Sequence, residues 1–300
     1  MKLCLGTVQF GMDYGIRGQK KPSVTDAVAC LDYATQNGIN AIDTAAAYGT
    51  AETVTGEFLK RNTVPRENLF ISTKLLPNIL DGVEETDYVR VIRENLQKSL
   101  KTLHLDYADA YLLHSSRYAH RPAILDALAQ MQKEGLAGLT GVSVYEPEEA
   151  LACMMHPDTG FIQAPYSVFD HRMKESGVFD RLKKSRCRMA VRSAFIQGLV
   201  TMTEEEAPPY LADAKPVLRE LERISRETGY SRIALAVGYV KREAYLSHLV
   251  FGVDSMEQLK EDIRVFQEDL PEDLHRTMEQ AFASIRADIV MPSLWKKEET

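Results

Sequence analysis

Short apolar runs, each followed by polar residues, alternate with longer stretches of helical periodicity along the whole chain. The runs that we predict to be strands are 3–6, 39–44, 69–74, 108–114, 139–144, 161–165, 189–193 and 249–253. Strands that alternate with helices are typical of a parallel sheet joined by right-handed crossovers. Polar residues follow nearly every predicted strand, and no glycine-rich phosphate-binding turn follows the first one. We therefore expect a (β/α)8 TIM barrel rather than a doubly wound sheet.

The stretches between the strands repeat apolar residues at the spacing of a helix. They predict helices over 23–37, 88–103, 123–134, 147–155, 217–227, 232–242 and 256–266, and an extra C-terminal helix over 274–286. Pro147 suits the first position of its helix, where the missing N–H is not needed. The polar, acidic segments 81–87 and 203–209 predict loops or helix starts. No linker rich in Pro, Gly or Ser interrupts the chain, so we expect one barrel domain over 1–300, with 270–300 as C-terminal helix and tail.

Composition and charge argue against several classes of protein. The formal net charge of −7 disfavours nucleic acid or an anionic membrane as partner. No apolar run is long enough to span a membrane, and the first residues lack the apolar stretch of a signal peptide. The four cysteines (Cys4, Cys30, Cys153 and Cys187) have no pairing or metal-ligand spacing. We therefore expect a cytoplasmic protein with free thiols and no metal site.

Four polar residues at or just after predicted strand ends can transfer a proton: Asp43, Tyr48, Lys74 and His114. The carboxyl ends of barrel strands converge on one face, so these side chains are expected to meet. Reduction of a carbonyl group by hydride leaves negative charge on oxygen, which requires a proton donor. The Tyr48 phenol is the candidate, since the Lys74 ammonium lowers its pKa and Asp43 keeps Lys74 charged. His114 then orients the substrate oxygen or passes on the proton.

Each of these residues also has a purely structural interpretation. Asp43 and Lys74 can form an ion pair in the barrel mouth, Tyr48 can pack at the rim, and His114 can be a core histidine. Their occurrence together, at three consecutive strand ends, favours the catalytic interpretation.

Five sequence blocks, in the same order, resemble the aldo-keto reductase superfamily over almost the whole chain. The segment 43–52, with Gly56 and Leu59, resembles that family's second-strand signature, and 99–114 resembles its fourth-strand signature. The segments 141–143, 161–163 and 192–199 match later blocks. The resemblance implies that Tyr48 is the acid, that Lys74 and Asp43 adjust its pKa, and that His114 orients the substrate. Many members open with a short hairpin; here the first strand begins almost at Met1, so we expect a barrel that lacks this hairpin.

The resemblance also implies a nicotinamide cofactor, NADH or NADPH. In the family, the residues at Ser143, Val144 and Gln163 hold the carboxamide, although Val144 replaces the usual Asn. Arg192 stands where an aromatic ring usually stacks on the nicotinamide; its guanidinium can lie on the ring or pair with an acid or a substrate carboxylate. The residues expected to bind the cofactor are Gly6, Thr7, Asp43, Ser143, Gln163, Arg192, Ser193, Phe195, Gln197, Gly198, Gly252, Asp254, Gln258 and Asp262.

The segment after the last strand bears on the choice between NADH and NADPH. Gly252 and Gln258 stand where members that prefer NADPH place Lys or Arg, and Asp254 adds a negative charge. An acid that accepts from a ribose hydroxyl is how dinucleotide sites select NAD. Asp254 and Ser255 are also ordinary capping residues for the helix that follows. We expect a preference for NADH or for both cofactors.

The substrate pocket is expected to be lined by Phe10, Tyr14, Ser115, Tyr118, Tyr145 and Trp295. Trp295 either walls this pocket or packs against the barrel exterior. The function that follows is an NAD(P)H-dependent oxidoreductase acting on a small aldehyde or ketone. Two alternatives stay open: a cofactor-binding regulatory subunit with slow turnover, and an aldolase that uses Lys74 as a Schiff-base nucleophile. The oligomeric state is not predicted.

Overall fold

The computed structural model describes residues 1–295, so the last part of the predicted tail, 296–300, lies outside the described residues. Eight parallel strands close into a barrel in chain order. They are β1 (Lys2–Gly6), β2 (Ala41–Asp43), β3 (Phe70–Leu75), β4 (Ala108–Leu113), β5 (Ala137–Ser143), β6 (Phe161–Pro165), β7 (Arg188–Arg192) and β8 (His248–Gly252). The predicted (β/α)8 barrel is confirmed, and the predicted strand bounds hold to within two residues.

Helices surround the barrel in the described part of the chain. The α-helices are Val8–Gly11, Val24–Gln36, Ala51–Arg61, Tyr88–Leu103, Pro122–Lys133, Pro147–Met155, Arg172–Glu175, Val178–Lys183, Lys215–Thr228, Arg232–Lys241, Met256–Phe266, Glu272–Ala281 and Ala287–Val290. Short 3-10 helices are Arg66–Asn68, Glu85–Asp87, Ser116–His120, Ile196–Thr201, Pro209–Ala214 and Pro292–Leu294. The extra C-terminal helix is confirmed, but it ends at Ala281 rather than at residue 286.

The helices begin where the sequence provides caps. The hydroxyl groups of Ser23, Ser231 and Ser255 each accept a hydrogen bond from a backbone N–H in the first turn of the following helix. Pro147 occupies the start of its helix, as predicted. The cap at Ser255 fixes the start of Met256–Phe266, the helix that carries the acidic residues considered below.

The alternation of side chains along the strands decides what reaches the barrel mouth. Ala110, Leu112, Phe161 and Ala190 form a separate apolar cluster, distinct from the core packed under the helices. Successive strand residues point to opposite faces, so the residues two positions further on share the orientation of this cluster. By this rule the inward positions at the carboxyl ends are Gly6, Asp43, Lys74, His114, Ser143, Gln163, Arg192 and Gly252.

Aromatic side chains fill the opposite end of the barrel, where β3, β6 and β8 begin. The Phe70 ring stacks on His248 with centroids 4.9 Å apart, and it lies 5.5 Å from the Phe161 ring. Side chains from the barrel itself therefore fill its floor.

Three further features of residues 1–295 concern the cysteines, membrane spans and metal ligands. All four cysteines are free thiols, as predicted. Within these residues, no helix is long and apolar enough to cross a membrane, and no cluster of His, Cys, Asp and Glu is arranged to hold a metal ion.

Candidate active site

A buried ion pair lies at the carboxyl ends of β2 and β3. Lys74 Nζ lies 2.6 Å from Asp43 Oδ2 and also donates to the Thr44 carbonyl oxygen at 3.0 Å. The side chain of Lys74 is fully buried and that of Asp43 is nearly so. A charge removed from water this completely needs a partner, and each member of the pair provides one for the other.

The second oxygen of the Asp43 carboxylate is held as well. Ser72 donates its hydroxyl to Asp43 Oδ1 at 2.7 Å, and Gln163 Nε2 donates to the same oxygen at 2.9 Å. Asp43 is directly paired with Ser72 in the β2–β3 register, so the sheet itself sets the first of these bonds. The carboxylate is thereby fixed in place, and Gln163 keeps its own amide oxygen for another partner.

Tyr48 places its phenol above this ion pair. Its hydroxyl oxygen lies 3.4 Å from Lys74 Nζ, and the ammonium lies 5.0 Å from the ring centroid. The edge-to-face contact with His114 has ring centroids 5.5 Å apart and an interplanar angle of 87°. The four residues predicted to meet at the strand ends are therefore brought together by the structure.

Burial and the nearby charges set the protonation states of these groups. Burial raises the pKa of Tyr48 above its usual value, and the Lys74 ammonium only partly offsets this effect. The Lys74 ammonium lowers this pKa, as expected, but the cost of burying a phenolate is larger, so the net shift is upward. Burial also opposes the charge of Lys74, but Asp43 and Tyr48 outweigh it, so the pKa of Lys74 is raised. Tyr48 is thus protonated and Lys74 charged at neutral pH.

His114 is neutral at physiological pH. Burial, followed by the positive charges of Lys74 and Arg192, lowers the pKa of His114 to about 4. Its Nδ1 is buried and has no hydrogen-bond partner among residues 1–295. An unpaired buried N–H is rarer than an unpaired acceptor, which favours the tautomer with the proton on Nε2.

These groups line one end of a cleft of ~730 Å³ that runs across the barrel mouth. Tyr48, His114 and Asp43 form part of its wall, with Lys74 buried behind them. All the residues expected to bind the cofactor line the same cleft, from Gly6 and Thr7 through Ser193, Phe195, Gln197 and Gly198 to Asp254, Gln258 and Asp262. Tyr14 and Tyr145 line it as well.

Four residues predicted for the substrate pocket do not line this cleft. The Phe10 ring lies in the apolar core. Ser115 bonds to Asn78, and the Tyr118 hydroxyl donates to Asp81, so both fasten the loop after β3. Trp295 is buried and donates from its ring N–H to the Ile289 carbonyl oxygen at 3.1 Å. The Trp295 ring lies 6.4 Å from the Tyr210 ring, centroid to centroid, and does not line this cleft.

Arg192 carries its charge into the cleft from the end of β7. One guanidinium nitrogen donates to the Val144 carbonyl oxygen at 2.9 Å, another donates to Ser193 Oγ at 3.3 Å, and the group lies 4.4 Å from the Tyr145 ring centroid. Within residues 1–295 no acid forms an ion pair with Arg192, so its guanidinium is left to lie on a ring or to pair with a substrate carboxylate. Its charge reaches the proton-transfer residues, since it contributes to the pKa shifts of both Tyr48 and His114.

The loop that follows Arg192 has an unusual backbone. Ser193, Ile196 and Gln197 have φ values of 65°, 47° and 55°, in the left-handed region that non-glycine residues seldom adopt. This conformation is least favourable for a β-branched residue such as Ile196. Strained backbone of this kind clusters at ligand-binding sites, and residues 193–198 of this loop all line the cleft.

The far end of the cleft is acidic. Asp254, Glu257, Glu261 and Asp262 all line it. Asp262 is 6% exposed, and burial, with a contribution from Glu261, raises the pKa of its carboxyl group to about 8. Burial also raises the pKa of Asp254, and the bond to Gln258 opposes that shift. An acidic surface of this kind disfavours a phosphate group.

Sequence reasoning missed several residues that line the cleft. Gln9 packs so close to Gly252 that a Cβ atom there would lie 2.1 Å from Gln9 Oε1, which is itself buried without a partner among the described residues. Arg17 lines the cleft and forms an ion pair with Glu206 at 3.0 Å. Ser293 approaches from the C-terminal segment. The position of Gln9, three residues after β1, was a usable signal, whereas the contacts of Arg17 and Ser293 depend on tertiary structure.

Comparison with known proteins agrees with this architecture. The model of the Aldo/keto reductase family matches residues 2–283. The protein tas of Escherichia coli is 29% identical over 91% of this chain and 91% of its own length. D-arabinose 1-dehydrogenase of Saccharomyces cerevisiae is 27% identical over 77% of this chain and 73% of its own. The holo form of an aldo-keto reductase from Bacillus halodurans has the same fold, with a TM-score of 0.77 at 22% identity over 96% of this chain and 95% of that one.

Proposed function

The chain belongs to the aldo/keto reductase family of oxidoreductases, and from this premise we propose that it reduces the carbonyl group of an aldehyde or ketone with hydride from a nicotinamide cofactor. The observation that supports this most directly is the position of Lys74 Nζ, 2.6 Å from Asp43 Oδ2 and 3.4 Å from the Tyr48 hydroxyl oxygen. An ammonium fixed there stabilises the phenolate left after Tyr48 gives up its proton.

Tyr48 acts as the general acid in this proposal. Its burial keeps the phenol protonated until a carbonyl oxygen in the cleft begins to carry negative charge. The proton then passes from the Tyr48 hydroxyl to that oxygen. The Asp43 carboxylate keeps Lys74 charged throughout this transfer.

His114 positions the substrate. The neutral imidazole donates its Nε2–H to the carbonyl oxygen, beside the Tyr48 ring that it contacts edge to face. Two donors at one oxygen hold it where negative charge develops, which stabilises the transition state more than the ground state.

The cleft suits a nicotinamide dinucleotide, which supplies the hydride when bound. Gln163 retains a free amide oxygen for the carboxamide, since its Nε2 is engaged by Asp43. The strained loop 193–198 and the buried, unpaired Gln9 Oε1 lie along the same cleft. We propose that Ser143, Gln163 and Arg192 hold the nicotinamide end and that Gly252, Asp254, Gln258 and Asp262 face the adenosine end.

NADH should bind this cleft at least as well as NADPH. The ionised acidic residues of the far end repel a 2′-phosphate. Members of the family that prefer NADPH hold this phosphate with Lys or Arg at the positions of Gly252 and Gln258, where this chain has no basic residue. Gln9 already fills the space beside Gly252. Loss of one charge-assisted hydrogen bond to the 2′-phosphate lowers the affinity for NADPH by roughly ten- to a hundredfold.

The aldolase alternative fits the site poorly. A Schiff-base lysine must present a neutral amine to the substrate, which requires a lowered pKa and an accessible position. Lys74 is fully buried, bonded to Asp43, and has a raised pKa.

A substrate screen tests the proposed function. Oxidation of NADH and of NADPH is followed with a panel of aldehydes, ketones and aldoses; the aldoses are included because one relative is named a D-arabinose 1-dehydrogenase. Turnover that Tyr48→Phe abolishes supports the proposal. Tight cofactor binding without turnover on any panel member would instead favour a regulatory subunit. Covalent trapping of a carbonyl substrate by borohydride, lost in Lys74→Met, would favour the aldolase.

A further inference from the structure

The charges around the proton-transfer site do not balance. Asp43 and Lys74 neutralise each other across 2.6 Å, and His114 is neutral because its pKa is lowered to about 4. Arg192 remains, and no acid within residues 1–295 forms an ion pair with it. This end of the cleft therefore carries one uncompensated positive charge.

The reacting part of a bound nicotinamide must lie within the field of that charge. Hydride transfer requires the donor carbon and the carbonyl carbon to approach to about 3–3.5 Å. The carbonyl oxygen is fixed in turn by Tyr48 and His114 under the proposed function. Since Arg192 shifts the pKa of both these residues, its charge acts on the space that the nicotinamide ring occupies during transfer.

The two redox forms of a nicotinamide respond differently to a nearby cation. The oxidised ring is a pyridinium with a positive charge, whereas the reduced dihydropyridine ring is neutral. Tyr145 covers Arg192 at 4.4 Å and the Val144 carbonyl oxygen holds one of its nitrogens, so the guanidinium cannot easily swing away from an incoming charge. A fixed cation repels the oxidised ring and leaves the neutral ring unaffected.

We propose that Arg192 makes this cleft bind the reduced cofactor more tightly than the oxidised one. The proposal rests on the nicotinamide chemistry proposed above. With an effective dielectric constant of about 20, a charge several ångströms away changes the ratio of the two dissociation constants by about tenfold or more. Tenfold tighter binding of the reduced form raises the reduction potential of the bound couple by about 30 mV. Weak binding of the oxidised form favours its release after carbonyl reduction, a step that often limits turnover.

Equilibrium binding of the two redox forms tests this role. Dissociation constants for NADH and NAD⁺ are measured by calorimetry, without substrate, for the unaltered protein, Arg192→Gln and Arg192→Lys. The Gln variant keeps a donor for the Val144 carbonyl oxygen but loses the charge, whereas the Lys variant keeps the charge. We expect the ratio Kd(NAD⁺)/Kd(NADH) to fall about tenfold in Arg192→Gln and to change little in Arg192→Lys.

Arg17→Gln is the matched control, because Arg17 also lines the cleft but is neutralised by Glu206. It should alter both dissociation constants by the same factor. An unchanged ratio in Arg192→Gln, or an equal fall in Arg192→Lys, overturns the proposed role of the charge. If neither form binds the unaltered protein, the proposed function itself fails. Binding of both forms with no preference in the unaltered protein overturns only the role of Arg192.

Discussion

The two ends of the cleft differ in whether their charged side chains are paired. At the end formed by β2, β3 and β4, the Asp43 carboxylate is bonded through both oxygens and Lys74 is fully buried. At the other end, where Met256–Phe266 begins, Asp254, Glu257 and Asp262 have no ion-pair partner within residues 1–295. Under the proposed function, the first end uses paired charges, fixed by the register of the sheet, to control a proton. The second has acidic side chains without ion-pair partners, and under the proposed function those that are ionised disfavour a 2′-phosphate.

Removal of the Tyr48 hydroxyl is the most severe test of the first end. Tyr48→Phe leaves the ring and its contact with His114 but removes the transferable proton, so we expect turnover to fall by about 10²–10⁴-fold. Cofactor affinity should change little. Steady-state kinetics and cofactor titration measure the two effects. Tyr33→Phe, which removes a hydroxyl from the helix Val24–Gln36 outside the cleft, serves as the control. A near-normal kcat in Tyr48→Phe would rule out this residue as the acid.

Two substitutions at the acidic end should shift the cofactor preference from NADH towards NADPH. Gln258→Arg combined with Asp254→Ser adds a cation and removes a repulsive acid, which together correspond to about 2–4 kcal/mol, or roughly thirty- to a thousandfold in the ratio of NADPH to NADH affinity. Fluorescence titration with both cofactors measures this ratio. Gln267→Arg places the same charge at the end of the same helix, away from the cleft lining, and should shift the ratio far less. If the unaltered protein already prefers NADPH strongly, another basic residue holds the 2′-phosphate.

Asp43 and Lys74 should act as one unit. We expect Lys74→Met to slow reduction by roughly ten- to a hundredfold, because Tyr48 loses the ammonium that opposes the rise in its pKa. Asp43→Asn should act in the same direction but less strongly. The double variant should be less impaired than the two effects added, since members of a unit are not additive. Strict additivity would assign the two residues to separate roles.

The free energy of unfolding gives a second test of the pair formed by Asp43 and Lys74. Removal of one partner leaves a buried charge without compensation, which costs about 3–5 kcal/mol in the free energy of unfolding. Denaturant unfolding of the two single variants and the double variant measures this cost. The double variant should again recover part of the loss, and circular dichroism shows whether each variant is folded at the assay temperature.

The strand-end chemistry could be predicted from the sequence because it depends on a general property of barrels. Parallel strands bring their carboxyl ends to one face, and the alternation of side chains then fixes which residues point inward. Asp43 ends β2, Lys74 lies one residue before the end of β3 and His114 directly follows β4, so errors of one or two residues in the strand bounds did not affect them.

The substrate pocket was harder to predict because its predicted residues lie in the segments that follow the strands, whose course depends on tertiary contacts. The short helix Val8–Gly11 turns the Phe10 ring into the core. Ser115 and Tyr118 are engaged by Asn78 and Asp81, which are far away in sequence. The sequence predicted how Lys74 affects the pKa of Tyr48 but not the net shift, because a list of neighbouring charges does not reveal how deeply the phenol is buried.

The smallest effect that we expect concerns the ionisation of Asp262. It distinguishes a buried, neutral carboxyl group from a charged one that repels phosphate at the acidic end. Burial raises the pKa of its carboxyl group to about 8, so the group is largely protonated at pH 7 and ionised at pH 9. Ionisation places a further negative charge beside the bound cofactor, and we expect the Kd for NADH to rise by about three- to tenfold between these two pH values. Asp262→Asn keeps the shape of the protonated acid and should remove most of this increase.

The same group should also affect the stability of the protein without cofactor. The pKa of Asp262 in the folded state lies above that of an unfolded Asp, about 3.9, so the folded state binds the extra proton between these values. Stability from this group is therefore complete below about pH 4 and is lost as the pH rises to about 8. Asp262→Asn should unfold at a higher temperature than the unaltered protein at pH 8, and the difference should shrink towards pH 5. If the difference in melting temperature between the two proteins stays constant across this pH range, Asp262 is ionised in the folded protein. Repulsion from a permanent charge, rather than a buried neutral acid, would then disfavour phosphate at this end.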